Sequence, residues 1–520
     1  MLRMLVLALT VLLSPVALSL PFSDADSSKV DYSKSRHQPA SSCRSLMSLT
    51  TVDFSVVTAS LESGAVEFCA VSGVIPSEIR FAVDLPTNWN GRLFMHGNGG
   101  LAGTPPESPG RRRTSQRALQ YGFATAYTDT GHDRRIEQGG SFAYRNLHKL
   151  IDYGYRAVHL TAQTAKLLTE KYYGDAPAYS YFMGCSTGGR QALMSAQRFP
   201  NDFNGIIAGA PANDYSGLKF SQAWRMTALK ERPLDRKEIE VLADRIYRQC
   251  DALDGLKDGL IDDPRNCPFD AEKDLPGCDG ADAVTCFTDQ EIAALKQYYA
   301  SVKLAGRTIY PGHPVGSEVS APGYDGIARP GWIPWLLNEN GPALLDLLGS
   351  DFFRYMVFVK DDPDFDWTEF DYAARPDNLT QFRDIVDAVD PDLRPYRDSG
   401  GKLISYFGWA DPDINPLTAI DYHDAVDERV GGNVNDFYRL FMVPGMFHCA
   451  GGPGPDVFDV MTPLINWVEA EQTPASISTE HKEKGETQYS RPLCPYPQVA
   501  RLQSGVDPND ANSFRCIEKR

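Results

Sequence analysis

The sequence predicts an α/β protein, a mostly parallel sheet with helices on both faces, broken by one large insertion. Three observations predict it. Short apolar runs of strand length alternate with helix-period segments between residues 66 and 209. After Pro211 that texture gives way to acidic turns, four cysteines and four of the seven tryptophans (Trp224, Trp332, Trp335 and Trp367), and it resumes at Lys402. Finally, the run Gly184-Cys185-Ser186-Thr187-Gly188-Gly189 falls where a strand hands over to a helix. At 520 residues the chain is long for one core. The expected division is a leader over 1–19, a first core segment over 20–212, an inserted lid domain over 213–392, and a second core segment over 393–520.

The elements follow in order. Arg3, the apolar run Leu5 to Leu13 and the small-residue pattern Ala17-Leu18-Ser19 read as a secretory leader, too short and too early broken by Pro15 to anchor in a membrane. Residues 20–40 are polar. Strands are expected over Val66 to Val74, Ile79 to Leu85 and Gly91 to Met95, the last running into the glycine-rich turn His96-Gly97-Asn98-Gly99-Gly100. Phe123 to Tyr127 is a further strand, ending in Thr128-Asp129-Thr130-Gly131-His132. Tyr155 to Tyr172 carries apolar residues at helical spacing. Tyr179 to Met183 and Gly205 to Gly209 are buried strands flanking a helix over Arg190 to Arg198. Beyond the insertion, Lys402 to Phe407 and Tyr438 to Val443 are strands, and Met461 to Ala470 is a helix.

A strand, a tight G-x-S-x-G turn and a helix together form the nucleophile elbow of α/β-hydrolases, which makes Ser186 the expected nucleophile. Glycines are required because side chains at neighbouring positions would clash in so tight a bend. Serine needs a base, and the base needs an orienting acid, in the chain order Ser, Asp or Glu, His. The strand Lys402 to Phe407 ends at Asp411 and Asp413, and Tyr438 to Val443 ends in the loop bearing His448. Asp411, nearer the strand end, is the expected acid. His448 is the expected base, ahead of His423, which falls in a helical segment and is read as a surface residue. The oxyanion needs backbone N–H donors, expected from Thr187 and from Gly100 in the glycine-rich turn. His96 and His132 read as structural.

Ten cysteines in a chain with a leader point to disulfides. Spacing favours the local pairs Cys43 with Cys69, Cys250 with Cys267, Cys278 with Cys286, and Cys494 with Cys516. If Ser186 and His448 meet, the adjacent Cys185 and Cys449 must meet too, and a bridge between them would tie nucleophile to base. Zinc is disfavoured because no C-x₂-C pair occurs. A formal net charge of −17 argues against a nucleic-acid partner. No apolar run after the leader is long enough to cross a membrane.

These segments resemble the tannase and feruloyl esterase family. The resemblance rests on Cys185-Ser186, Asp411 and His448-Cys449, together with Trp89-Asn90-Gly91-Arg92, Gly97 to Gly100, Thr128 to His132, Gly184 to Arg190 and Pro444 to Gly452. It runs from about Cys43 to Cys516 and is thinnest between 300 and 390. It implies a secreted or periplasmic carboxylic ester hydrolase acting on esters of hydroxycinnamic, feruloyl-type acids, in a small molecule or a plant polymer. Gallate esters and mono-(2-hydroxyethyl) terephthalate are the alternatives within the family, and Arg491 to Pro497 is most like the terephthalate branch. A hydrolase fold used only for binding, or a peptidase or lipase, are the rival functions.

The insertion contains the loop Cys250-Asp251-Ala252-Leu253-Asp254-Gly255-Leu256-Lys257-Asp258-Gly259-Leu260, dense in aspartate and glycine. Calcium takes several oxygen donors on a turning loop. Carboxylates of Asp251, Asp254 and Asp258 with carbonyls of Leu256 and Leu260 form the expected ligand set, and the resemblance implies a structural calcium at this spacing. The loop is not an EF-hand, since the twelfth-position glutamate is missing. Trp332, following Pro330-Gly331, is the expected aromatic wall of the acyl pocket.

Overall fold

The computed structural model describes residues 37–230, 232–278, 286–322, 328–337 and 342–518. The leader read over residues 1–19 therefore lies outside the described residues.

Nine strands form one sheet. They are β1 (Ser55–Ser63), β2 (Glu67–Ile75), β3 (Ile79–Pro86), β4 (Arg92–His96), β5 (Ala124–Thr128), β6 (Tyr179–Cys185), β7 (Gly205–Gly209), β8 (Lys402–Gly408) and β9 (Tyr438–Val443). Their spatial order is β1-β2-β3-β5-β4-β6-β7-β8-β9. From β5 across to β9 every pairing is parallel. β1, β2 and β3 join antiparallel at one edge. The expectation of a mostly parallel sheet holds, with that antiparallel edge added.

Parallel strands covered on both faces must be apolar on both faces, and the burial pattern shows it. Leu93 and Met95 of β4, Phe182 of β6, Ile206 and Ala208 of β7 and Leu403 of β8 pack into one core layer. The helices Ala157–Tyr173, Thr187–Arg198 and Leu417–Val430 contribute Ala165, Leu168, Leu193 and Val426 to that layer. Residues one step along each strand, Phe94, Tyr181, Met183, Ile207, Ile404 and Tyr406, enter the opposite layer with Met461, Leu464 and Ile465 of the helix Met461–Ala470. The period-two alternation of side chains thus builds two cores from one sheet. β1 was not expected from the sequence. Only two of its nine residues are buried, so the edge strand carries almost no apolar signal.

The insertion between β7 and β8 is a helical body. Its main helices are Tyr215–Lys230, Arg236–Cys250, Asp289–Tyr299, Leu344–Tyr355 and Leu379–Val386. Its two ends meet where the Ala388 N–H donates to the Asn213 carbonyl at 2.8 Å. Phe220, Phe352, Phe353 and Phe382 form an aromatic core continuous with Cys185 and Cys449 at the ends of the sheet. Among the described residues, no helix is long and apolar enough to cross a membrane.

Candidate active site

Ser186 follows β6 directly and stands at the head of the helix Thr187–Arg198, with φ 64° and ψ −122°. L-residues rarely adopt positive φ, and this strain is what turns the hydroxyl out of the sheet. The bend closes only without side chains. A Cβ on Gly184 would lie 2.5 Å from the backbone of Gly188, and one on Gly188 would lie 2.9 Å from the Asn98 carbonyl. The Ser186 N–H donates to the Gly209 carbonyl at 3.0 Å, fixing the elbow to the end of β7.

Asp411 and His448 occupy the turns after β8 and β9. The His448 Nδ1–H donates to Asp411 Oδ2 at 2.7 Å, and the Asp411 side chain is fully enclosed. Burial disfavours the charged imidazolium, but the charge and hydrogen bond of Asp411, with Asp413 behind, outweigh it. The His448 pKa is raised above the ordinary histidine value. Asp413 is committed elsewhere, its Oδ1 accepting from Gln222 Nε2 at 2.7 Å. His423 is buried in the helix Leu417–Val430 against Tyr438 and Tyr496, which corrects the expectation of a surface position.

The bridge Cys185–Cys449 is present, with the two Cα atoms 6.0 Å apart, so the residues next to Ser186 and His448 are covalently joined. The four local pairs also form as the spacing indicated: Cys43–Cys69, Cys250–Cys267, Cys278–Cys286 and Cys494–Cys516.

The glycine-rich turn after β4 folds back over the elbow. Asn98 N–H donates to Gln191 Oε1 at 2.9 Å, and Asn98 Nδ2 donates to the Thr128 carbonyl at 2.8 Å. The Gly100 carbonyl accepts from Thr187 Oγ1 at 2.6 Å and from Tyr153 Oη at 3.1 Å. Thr187 and Gly100 are thereby held side by side. The Thr187 N–H lies in the first helical turn, where no intrahelical acceptor exists. His96 bonds the Gly97 carbonyl, and burial, with help from Arg111, lowers its pKa to about 3. His132 bonds the Leu101 carbonyl and stacks on Phe142, and burial lowers its pKa to about 4. Both stay neutral and structural.

Trp332 is not at the site. It is fully buried inside the insertion, its ring 4.4 Å from that of Tyr298 and its indole N–H donating to Ser317 Oγ at 2.9 Å. A buried indole needs such a partner, and having one fixes the ring in the insertion core. Trp335, three residues on, is the tryptophan that reaches His448. Its ring stands edge-on to His448 at 5.5 Å. Nothing in the turn-rich sequence around the two tryptophans ranks one above the other.

The acidic loop is partly bonded to itself. Asp251 Oδ1 accepts from the N–H groups of Asp258 and Gly259, Asp254 Oδ1 from that of Leu256, and Asp258 Oδ2 from Arg491. Among the described residues no three acidic side chains converge as a metal centre. Asp262 is half-buried beside Asp254 and Asp258, and desolvation followed by those two charges pushes its pKa well up.

A parallel sheet with a strained serine elbow and a histidine–aspartate pair on two later strand ends defines a hydrolase of the α/β class. The chain belongs to the tannase and feruloyl esterase family, whose model matches residues 64–517. It is 34% identical over 513 residues to the mono(2-hydroxyethyl) terephthalate hydrolase of Piscinibacter sakaiensis, covering 86% of this chain and 85% of that protein. It is 30% identical over 465 residues to feruloyl esterase B of Aspergillus niger, covering 83% and 82%. The crystal structure of feruloyl esterase B from Aspergillus oryzae matches with a TM-score of 0.80 at 27% identity, covering 91% of this chain and 99% of that one.

Proposed function

We propose that this ester hydrolase is an exported serine enzyme that cleaves esters of aromatic, feruloyl-type acids through an acyl-enzyme. The observation that carries the reading is the Asp411–His448 hydrogen bond on a loop that the Cys185–Cys449 bridge ties to Ser186. With Nδ1–H spent on Asp411, His448 Nε2 holds the lone pair. It takes the Ser186 proton as Oγ bonds to the ester carbonyl carbon. The oxyanion is met by the N–H groups of Thr187 and Gly100. Collapse breaks the bond to the alcohol, which leaves with the proton from His448. Water, deprotonated by the same histidine, then bonds to the acyl carbon and frees Ser186 and the acid.

Trp335 supports an aromatic acyl group, since an aryl ring beside it gains about 0.5–1.5 kcal/mol beyond area burial. Feruloyl-type acids lead because feruloyl esterases recur among the relatives. A terephthalate monoester is the second reading, carried by the 34% identical relative. Export is supported by five disulfides, which persist in oxidising compartments. The insertion is read as a lid. Release of free acid from methyl ferulate, methyl gallate, a terephthalate monoester and an aryl acetate tests the whole reading. Ser186→Ala should abolish turnover on all four. Trp335→Ala should lower kcat/KM on the aromatic acids far more than on the acetate. Retention of more than a few per cent activity in Ser186→Ala would overturn the serine mechanism.

Calcium at Asp251, Asp254, Asp258 and the Leu256 and Leu260 carbonyls is proposed as a structural ion, with no step in the reaction. It would offset the repulsion among Asp254, Asp258 and Asp262. Chelation should lower the melting temperature and added calcium should restore it. A melting curve indifferent to both would remove the ion.

A further inference from the structure

Arg225 sits in the insertion helix Tyr215–Lys230 and is only 1% exposed. Its Nη1 donates to the Pro412 carbonyl at 2.9 Å and its Nη2 to the Asp413 carbonyl at 2.7 Å. Those carbonyls belong to the peptide units Pro412–Asp413 and Asp413–Ile414. The N–H groups at the other ends of the same two units, on Asp413 and Ile414, both donate to Asp411 Oδ1, at 2.9 and 3.0 Å. One guanidinium therefore grips the far ends of both peptides that hold one oxygen of Asp411, while the other oxygen receives His448 at 2.7 Å.

The rest of the turn is held from the same side. His313 Nε2 contacts the Asp411 carbonyl at 3.0 Å, and burial keeps that ring neutral, so Nε2 carries the donated proton. Gln222 Nε2 donates to Asp413 Oδ1 at 2.7 Å, and Arg225 lies 3.6 Å from the same carboxylate, which keeps Asp413 away from His448. Asn415 Nδ2 donates to the carbonyls of Pro311 and Gly312. Gln222, Arg225, Pro311, Gly312 and His313 all belong to the insertion. A cation on a carbonyl polarises its peptide and strengthens the N–H at the opposite end as a donor.

We propose that Arg225 is a positioning residue for the catalytic acid, acting on the reaction through the two peptides that hold Asp411. The insertion then helps to build the catalytic constellation as well as to cover it. The proposal rests on the reading of Asp411 as the acid that orients His448.

The experiment is a double-mutant cycle on the full chain, with folding checked by near-ultraviolet circular dichroism. Arg225→Lys keeps the charge and loses the two-pronged grip. It should lower kcat about 10- to 100-fold, the scale of a small misplacement of a catalytic group, with KM nearly unchanged. In an Asp411→Ala background, where no carboxylate is left to hold, the same substitution should cost almost nothing. An equal loss in both backgrounds, or full kcat in a folded Arg225→Lys protein, overturns the proposal. Wild-type kcat in Asp411→Ala alone would instead overturn the triad reading, so the two failures are distinguishable. If Arg225→Lys does not fold, His313→Gln, which can keep a donor to the Asp411 carbonyl but not the ring contact with Tyr298, is read through the same cycle. Loss of folding in both variants makes the contacts folding determinants and ends the proposal.

Discussion

At the scale of single residues, the proposed mechanism turns on His448, whose protonation state is set by two opposed influences. Burial favours the neutral ring, and Asp411 favours the charged one, with the net pKa raised. In the proposed mechanism the reacting form is the neutral base. Activity should therefore be full above that raised pKa and fall as pH drops through it, at a higher pH than for a free histidine. Asp411→Asn removes the charge and leaves burial as the larger influence. Its kcat/KM profile should keep an acid limb, displaced to lower pH, beneath a plateau reduced by about 10⁴-fold. An acid limb that stays in place would separate His448 from Asp411. The positions of Ser186, Asp411 and His448 were legible in the sequence because each follows a strand end, where chain order and register fix the geometry. Trp332 was misplaced and Trp335 overlooked for the opposite reason. Both lie in a turn-rich stretch with no periodicity to say which ring faces inward, and only packing against Tyr298 decides it.

The elements of the sheet were readable for the same reason as the triad. β7 begins and ends where its apolar run does, since a strand buried on both faces is a continuous apolar run. β1, mostly exposed, left no such run, and an insertion helix such as Tyr215–Lys230 buries Lys219, Gln222 and Arg225 in polar contacts that periodicity does not report. One of those contacts marks the neck of the insertion. Asp387 is buried and Asp214 half-buried beside the Asn213–Ala388 closure, with Arg383 the nearby cation. Burial raises both carboxyl groups, and the Asp214 charge raises Asp387 further. A carboxyl raised on folding binds protons more tightly in the native state, so its contribution is present at low pH and is lost as pH rises through the folded pKa. Asp214 also accepts the Gly217 N–H at the start of the helix Tyr215–Lys230, a role asparagine performs equally well. Asp214→Asn should thus raise the melting temperature at pH 8, with the gain fading toward pH 5. A variant less stable than the parent at pH 8 would show that Arg383 already neutralises the pair.

Across the whole molecule, the insertion separates the two halves of the catalytic core, so Ser186 and His448 depend on long-range closure. Four of the five bridges span 8, 17, 22 and 26 residues and stabilise local loops. Cys185–Cys449 spans 264 residues and encloses the entire insertion. In the chain-entropy model a loop of that length stabilises the native state by about 5–6 kcal/mol, more than any local bridge. Its position adds a second effect, since it fixes the separation of nucleophile and base loops that no shared helix or strand connects. Replacing both cysteines with alanine should therefore do two things at once. The melting temperature should fall, and kcat should fall by about 100-fold with KM less affected, because a displacement of about 1 Å at reacting groups costs on that order. Replacing Cys494 and Cys516 is the matched control. That pair pins only the C-terminal hairpins and should lower stability with kcat intact. Equal effects of the two double variants on kcat, or a free thiol at Cys185 or Cys449 in the native active enzyme, would leave the long bridge without a catalytic part.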